Sequence, residues 1–184
     1  MYVALLRAIN VGGKNLVSMA SLKASFERRG FQDVTTYINS GNVLFRSAET
    51  DARKLEESID RMLSREFAVN SKTLVRSYRE MARVVKTMSQ MWRRDPRWRR
   101  NVIFLRDSID PERVLAGITL KPDIERVVCC PGTLLWSARV SDLTRAAMLK
   151  LSSQPVYRDL TVRNMNTTAR IFELMTRMST KSVS

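Results

Sequence analysis

The sequence predicts an α+β fold built of two similar halves, and three observations predict it. Short β-branched and aromatic runs alternate with amphipathic helical stripes in the order β-α-β-β-α-β-α, and that order occurs twice. The run VALLR (3–7) matches VIFLR (102–106) at an offset of 99. GNVLFRS (41–47) matches GTLLWSA (132–138) at an offset of 91. The order is that of the split βαβ, ferredoxin-like arrangement, so each half is expected to be a mostly antiparallel sheet covered by helices.

The elements follow in turn. Tyr2 to Ala8 reads as a central strand, because its apolar run is unbroken. After the loop INVGGKNLVSM (9–19), Ser18 is an N-cap for a helix whose stripe is Met19, Leu22 and Phe26. Gly30 is its C′ residue. VTTYI and NVLFRS, joined by NSG, form a hairpin. Thr50 is expected to cap a helix with Leu55, Ile59, Met62, Leu63 and Phe67 on one face. KTLVRS is a strand, and SYRE (77–80) is a capping box that opens a helix carrying Met81, Val84, Val85 and Met88.

Residues 91–101 break the pattern with proline, dense charge and no clear period. NVIFLR then restarts it as a strand. Asp110 caps a helix with Pro111 at its first position. IERVVCC and TLLWSA form a second hairpin through Pro131-Gly132. Ser141 to Leu151 reads as a shorter helix, DLTVR as a strand, and Ile171, Leu174, Met175 and Met178 as the stripe of a last helix. The expected division is a first half at 1–90, a basic linker at 91–100, a second half at 101–178 and a disordered tail at 179–184.

The two halves differ most between first strand and first helix. Leu6 to the Ser18 cap is 12 positions, and Leu105 to the Asp110 cap is five. The glycine loop is therefore not needed to make that connection.

Composition bounds the chemistry. A chain of 184 residues with 44% hydrophobic and 27% charged content builds a core. No apolar run reaches the roughly 18 residues of a membrane helix, and MYVALLRA lacks the features of a signal peptide. A cytoplasmic protein that does not enter membranes is expected. With no His in the chain, Ser-His and Cys-His nucleophilic machinery is excluded within it. The adjacent pair Cys129 and Cys130 cannot make an ordinary zinc site and reads as small buried strand residues. No metal and no cofactor is expected.

Net charge is +14, which favours polyanionic partners. Residues 83–106 hold eight basic side chains against Asp95, a local +7. Trp92 and Trp98 sit among Arg93, Arg94, Arg97, Arg99 and Arg100 there. Aromatics interleaved with arginine suit base stacking and phosphate contact. A solvated connector with docked tryptophans accounts for the same residues.

In a split βαβ unit the first loop and the hairpin turn lie at one end of the sheet, so NVGGKN is expected beside NSGN. Gly12, Gly13 and Gly41 are half of the six glycines. Backbone N–H groups exposed by glycine, with Lys14 nearby, would make an anion site, and Asn10, Asn15, Asn39 and Asn42 add donors and acceptors. A tight turn whose asparagines satisfy their own backbone is the alternative. TVRNMNTT (161–168) could add Arg163 and Asn164 to a pocket, or serve as a helix cap through Asn164, Asn166 or Thr167.

Residues 2–45, YVALLRAINVGGKN through YINSGNVLF, resemble the opening of the bacterial DUF1697 family, and TVRNMNT resembles its closing signature. The resemblance implies two ferredoxin-like halves and no particular activity. It singles out Arg7, Asn10, Gly12, Gly13, Asn39, Ser40, Gly41, Asn42, Arg163, Asn164 and Asn166. Ala8, Met165 and Asp142 depart from the family pattern of Gly, Trp and Lys, and the arginine-dense stretch is particular to this chain. The resulting expectation is a module that binds nucleic acid or a small anionic ligand at the NVGGKN/NSGN end. The rivals are an enzyme using Arg7, Lys14 and Arg163 on a phosphorylated or carboxylated substrate, for which no general base is evident, and a protein-interaction module.

Overall fold

The computed structural model describes residues 1–7, 9, 10, 16–91 and 95–180. The chain divides into two compact units, Met1–Ala82 with Arg170–Ser184, and Arg83–Ala169.

The first unit holds β1 (Tyr2–Leu5), α1 (Met19–Arg28), β2 (Gln32–Tyr37), β3 (Asn42–Arg46), α2 (Ala52–Phe67) and β4 (Leu74–Ser77), and the start of α3 (Tyr78–Met91). Its sheet has the order β2-β3-β1-β4 with antiparallel neighbours. One face packs Ala4, Val43, Phe45 and Val75 against Leu22 and Phe26 of α1 and Leu55, Ile59, Met62 and Leu63 of α2. Phe26, Phe31 and Phe45 meet ring to ring at 4.6 to 5.6 Å. Val3, Leu5 and Leu44 on the other face are buried too, which is why this central strand reads as unbroken apolar sequence. The exposed edge of β4 is covered by acids of α2: Glu56 accepts from Val75 N–H at 2.9 Å and Asp60 from Thr73 N–H at 2.8 Å. An edge so occupied cannot template another strand.

Local cap chemistry falls where the sequence places it at three helices. Ser18 accepts from Ser21 N–H at 3.4 Å, Asp110 from Glu112 N–H at 3.0 Å, and Ser77 and Glu80 close the reciprocal capping box of α3. At α2 the cap is Asp51, not Thr50, because the Asp51 carboxylate reaches Arg53 N–H at 2.9 Å.

The second unit holds the remainder of α3, β5 (Trp98–Leu105), α4 (Pro111–Ala116), β6 (Glu125–Cys130), β7 (Thr133–Arg139), β8 (Leu160–Asn164) and the start of α5 (Met165–Thr180). Its sheet order is β6-β7-β5-β8, the same as the first. The two offsets of 99 and 91 carry the register across: Val3↔Leu44, Ala4↔Val43 and Leu5↔Asn42 become Val102↔Leu135, Ile103↔Leu134 and Phe104↔Thr133. The bond from Leu6 N–H to Gly41 carbonyl, 2.8 Å, recurs as Leu105 to Gly132, 2.9 Å. A third match was hidden in the sequence. LVRS (74–77) aligns with TVRN (161–164), so Val3↔Arg76 becomes Val102↔Arg163. In both strands the arginine is buried and its Nη1 donates to the preceding carbonyl, and the next residue caps the following helix.

Four expectations need correction. Trp98, Arg99 and Arg100 are not connector but the start of β5, paired with Arg139, Ala138 and Ser137 of β7. The helix expected over 141–151 is replaced by three 3-10 segments, Val140–Arg145, Ala147–Ser153 and Pro155–Asp159. The cause is Glu125, whose carboxylate takes the N–H groups of Ala147 at 2.6 Å and Met148 at 3.2 Å and so ends helical pairing there. Cys129 is exposed rather than buried. The last helix, expected with the second half, joins the first unit from Arg170 onward: Ile171 and Met175 are fully buried, Tyr78 stacks on Phe172 at 5.2 Å, and Arg46 donates to Met178 carbonyl at 2.6 Å. Residues 181–184 lie outside the described residues.

Candidate functional site

In the first unit the described members of the expected loop cluster are held by bonds of their own. Asn10, at φ 54, spans the loop's two ends: its Nδ2 donates to Val17 carbonyl at 2.9 Å and its Oδ1 accepts from Val17 N–H at 2.7 Å. The side chain thus mimics a backbone bridge and shuts the loop at its base. Ser71 does the same for Arg7, accepting from its N–H at 3.1 Å and donating to its carbonyl at 2.7 Å. Gly41 sits at φ 71, and a Cβ there would lie 2.8 Å from Leu6 Cβ and 3.2 Å from Ile9 Cβ. Asn42 is fully buried and donates to Tyr37 carbonyl at 3.1 Å and Ser40 Oγ at 3.2 Å. Asn39 is exposed. Gly12, Gly13 and Lys14 lie outside the described residues. Asn10, Gly41, Asn42 and the Arg7 backbone thus shape the turn and the base of the loop.

The second unit holds a cleft of about 660 Å3, lined by Asp95, Pro96, Trp98, Arg99, Arg100 and the turn Asn164–Asn166, with Val140. Two stretches that the sequence kept apart, the basic run and the TVRNMNT signature, meet in it. The reason is the register of β5 on β8: Asn101 pairs with Asn164, and α5 then leaves the sheet, so residues 98–100 run on beyond the end of β8. Asn164 caps α5 by accepting from Thr167 N–H at 2.8 Å. Asn166 is exposed, and its amide has no partner among the described residues. A second cleft of about 770 Å3 adjoins, sharing Pro96, Trp98 and Val140 and adding Arg97, Arg139 and Ser141.

Trp98 is the hinge between these clefts. It is half-buried, with the guanidinium carbons of Arg126 and Arg139 at 5.9 and 5.8 Å from its ring centre. Both cations lie over the ring, at the outer limit of cation–π contact. Among the described residues no carboxylate pairs with Arg99, Arg126 or Arg139, while Arg100 donates to the Asp95 carbonyl at 3.4 Å and adds to the positive field on its carboxylate. The single acid in the cleft, Asp95, is taken by Arg97 through bonds of 3.0 and 2.9 Å to its side chain and 3.0 Å to its N–H. Those bonds hold the Asp95 carboxyl down at about 2. The cleft is thus cationic at any ordinary pH.

Arg163 does not line the cleft. It is buried on the sheet, donates to Thr161 Oγ1 and Val162 carbonyl at 2.9 Å each, and burial lowers its pKa to about 10. Trp92, Arg93 and Arg94 lie outside the described residues. Arg126 and Arg139 escaped the sequence reading, although extending the β5–β7 register four positions beyond Val102↔Leu135 sets Trp98 against Arg139.

No curated protein matches the chain. A conserved bacterial protein from Streptococcus pneumoniae, SP0830, has a similar solved structure. It is 28% identical, with a TM-score of 0.81 over 94% of this chain and 96% of that one. A structure of the first two RRM domains of yeast poly(U) binding protein aligns at 12% identity with a TM-score of 0.27, too low to bear on fold or function. Among the described residues no helix is long and apolar enough to cross a membrane. The sequence of residues 1–134 matches the family described as protein of unknown function, DUF1697, and the chain belongs to that family.

Proposed function

We propose that the protein is a binding module for phosphate-bearing polyanions and that its binding surface is the Trp98 cleft of the second unit. One observation carries this reading: Arg99, Arg100 and Arg139 line two adjoining clefts that share Trp98, Arg126 lies over its ring, and among the described residues the one acid lining them, Asp95, is neutralised by Arg97. Guanidinium groups that share a concave surface raise the local concentration of anions and bind phosphate oxygens two at a time. The start of α5 adds the positive end of its helix dipole and the Asn166 amide on the same wall.

The first-unit loop end, where the sequence led us to expect the site, contributes architecture in this reading. The test is retention on immobilised heparin. Replacing Arg99, Arg126 and Arg139 with Gln should shift elution to much lower salt. The same loss of charge at Arg53, Arg61 and Arg65 of α2 should shift it little. Equal shifts from both sets would refute a localised site and leave only non-specific charge.

A further inference from the structure

Resting on that reading of the cleft, we infer that the polyanion is a single-stranded nucleic acid, with Trp98 as the platform on which one base stacks. Four features of the site point to bases as well as phosphates. An indole ring half-open between two adjoining clefts is wasted on a simple phosphate, which has no apolar face to offer it. A nucleobase has such a face, and stacking on an aromatic ring is indifferent to which base it is. Each cleft has the volume of a site for one small ligand, and both share Trp98. A strand laid across them places one base on the ring and the flanking phosphates toward Arg99 and Arg100 on one side and Arg139 on the other. Finally, the Asn166 amide, without a partner among the described residues, offers both a donor and an acceptor to a base edge on the cleft wall.

The inference also separates single strands from duplex. In a duplex the bases are stacked on each other and unavailable to Trp98, so only its phosphates would meet the arginines. The guanidinium carbons of Arg126 and Arg139 lie over the ring at 5.9 and 5.8 Å, so a base that stacks there takes the place of a cation, which turns to the flanking phosphate.

The experiment uses the full chain and fluorescence anisotropy with three labelled ligands at low salt: an eight-residue oligothymidylate, an abasic strand of the same length and charge, and a short duplex. The expected result is that oligothymidylate binds more tightly than the abasic strand, by roughly 5- to 150-fold, the worth of one stacked base. Trp98→Leu should remove that preference, and Trp98→Phe should keep part of it. Arg139→Gln should weaken both ligands. Equal binding of oligothymidylate and abasic strand by the unaltered protein would overturn the inference and leave the polyanion reading standing, as would a preference that survives Trp98→Leu. No binding of any of the three would overturn both. The comparison within the unaltered protein decides the matter even if a Trp98 variant fails to fold.

Discussion

Replacing Gly41 with alanine tests the claim that the NSGN turn is architecture. Two costs add. At φ 71 a Cβ is in the left-handed region, worth about 1–2 kcal/mol. The new carbon would also lie 2.8 Å from Leu6 Cβ and 3.3 Å from Leu6 carbonyl oxygen, atoms fixed to the backbone of the central strand. Forcing that contact apart adds about 1–3 kcal/mol. Gly30→Ala is the matched control, because Gly30 has φ 81 but nothing within 4 Å of a Cβ, so only the first cost applies. Urea unfolding followed by far-UV circular dichroism should therefore show Gly41→Ala destabilised by about 2–5 kcal/mol and Gly30→Ala by about 1–2 kcal/mol. If the two variants fall within about 0.5 kcal/mol of each other, the packing of Gly41 on Leu6 is not what fixes this turn.

Other predictions follow from named contacts. Asn10→Ala removes both bonds that shut the loop base and should cost about 1–3 kcal/mol in the same urea assay. Glu125→Ala orphans Trp136 Nε1 and the N–H groups of Ala147 and Met148 and should cost about 3–5 kcal/mol, with Glu125→Gln intermediate. The Asp95 carboxyl, held at about 2 by Arg97, contributes stability above the ordinary carboxylate pKa and loses it as pH falls through about 2. An NMR titration should find its midpoint there, and Arg97→Gln should raise it. Asp95→Asn should tighten heparin binding, since it releases Arg97 and removes the cleft's one acid.

What could be read in the sequence was local or repeated. Ser18, Gly30, Asp110 and the Ser77–Glu80 box act through neighbours a few residues away, so their chemistry is visible in a window. The central strands announced themselves because both faces are buried. The register of the second sheet copies that of the first, each paired strand displaced by the offset of its own short match, 99 at β5 and 91 at β7. What escaped depends on groups far apart in the chain. The 3-10 crossover is set by Glu125, more than twenty positions before the N–H groups it takes. The start of β5 at Trp98 looked like connector because its own residues are charged, and only its pairing with Arg139 makes it a strand. The same holds for the site. Each half of the cleft was singled out, yet their meeting needs β5 to run past the end of β8. The loop glycines drew attention for conformational reasons that, at Gly41, belong to packing.

The most direct test of the central claim is the salt dependence of single-strand binding. If Arg99, Arg100, Arg126 and Arg139 each neutralise one phosphate, the logarithm of the association constant should fall against the logarithm of salt with a slope of about −2.8. Replacing Arg99, Arg126 and Arg139 with Gln should flatten that slope to about −0.7. A flat dependence in the unaltered protein, or a steep one that the triple substitution leaves unchanged, would contradict the assignment of the site.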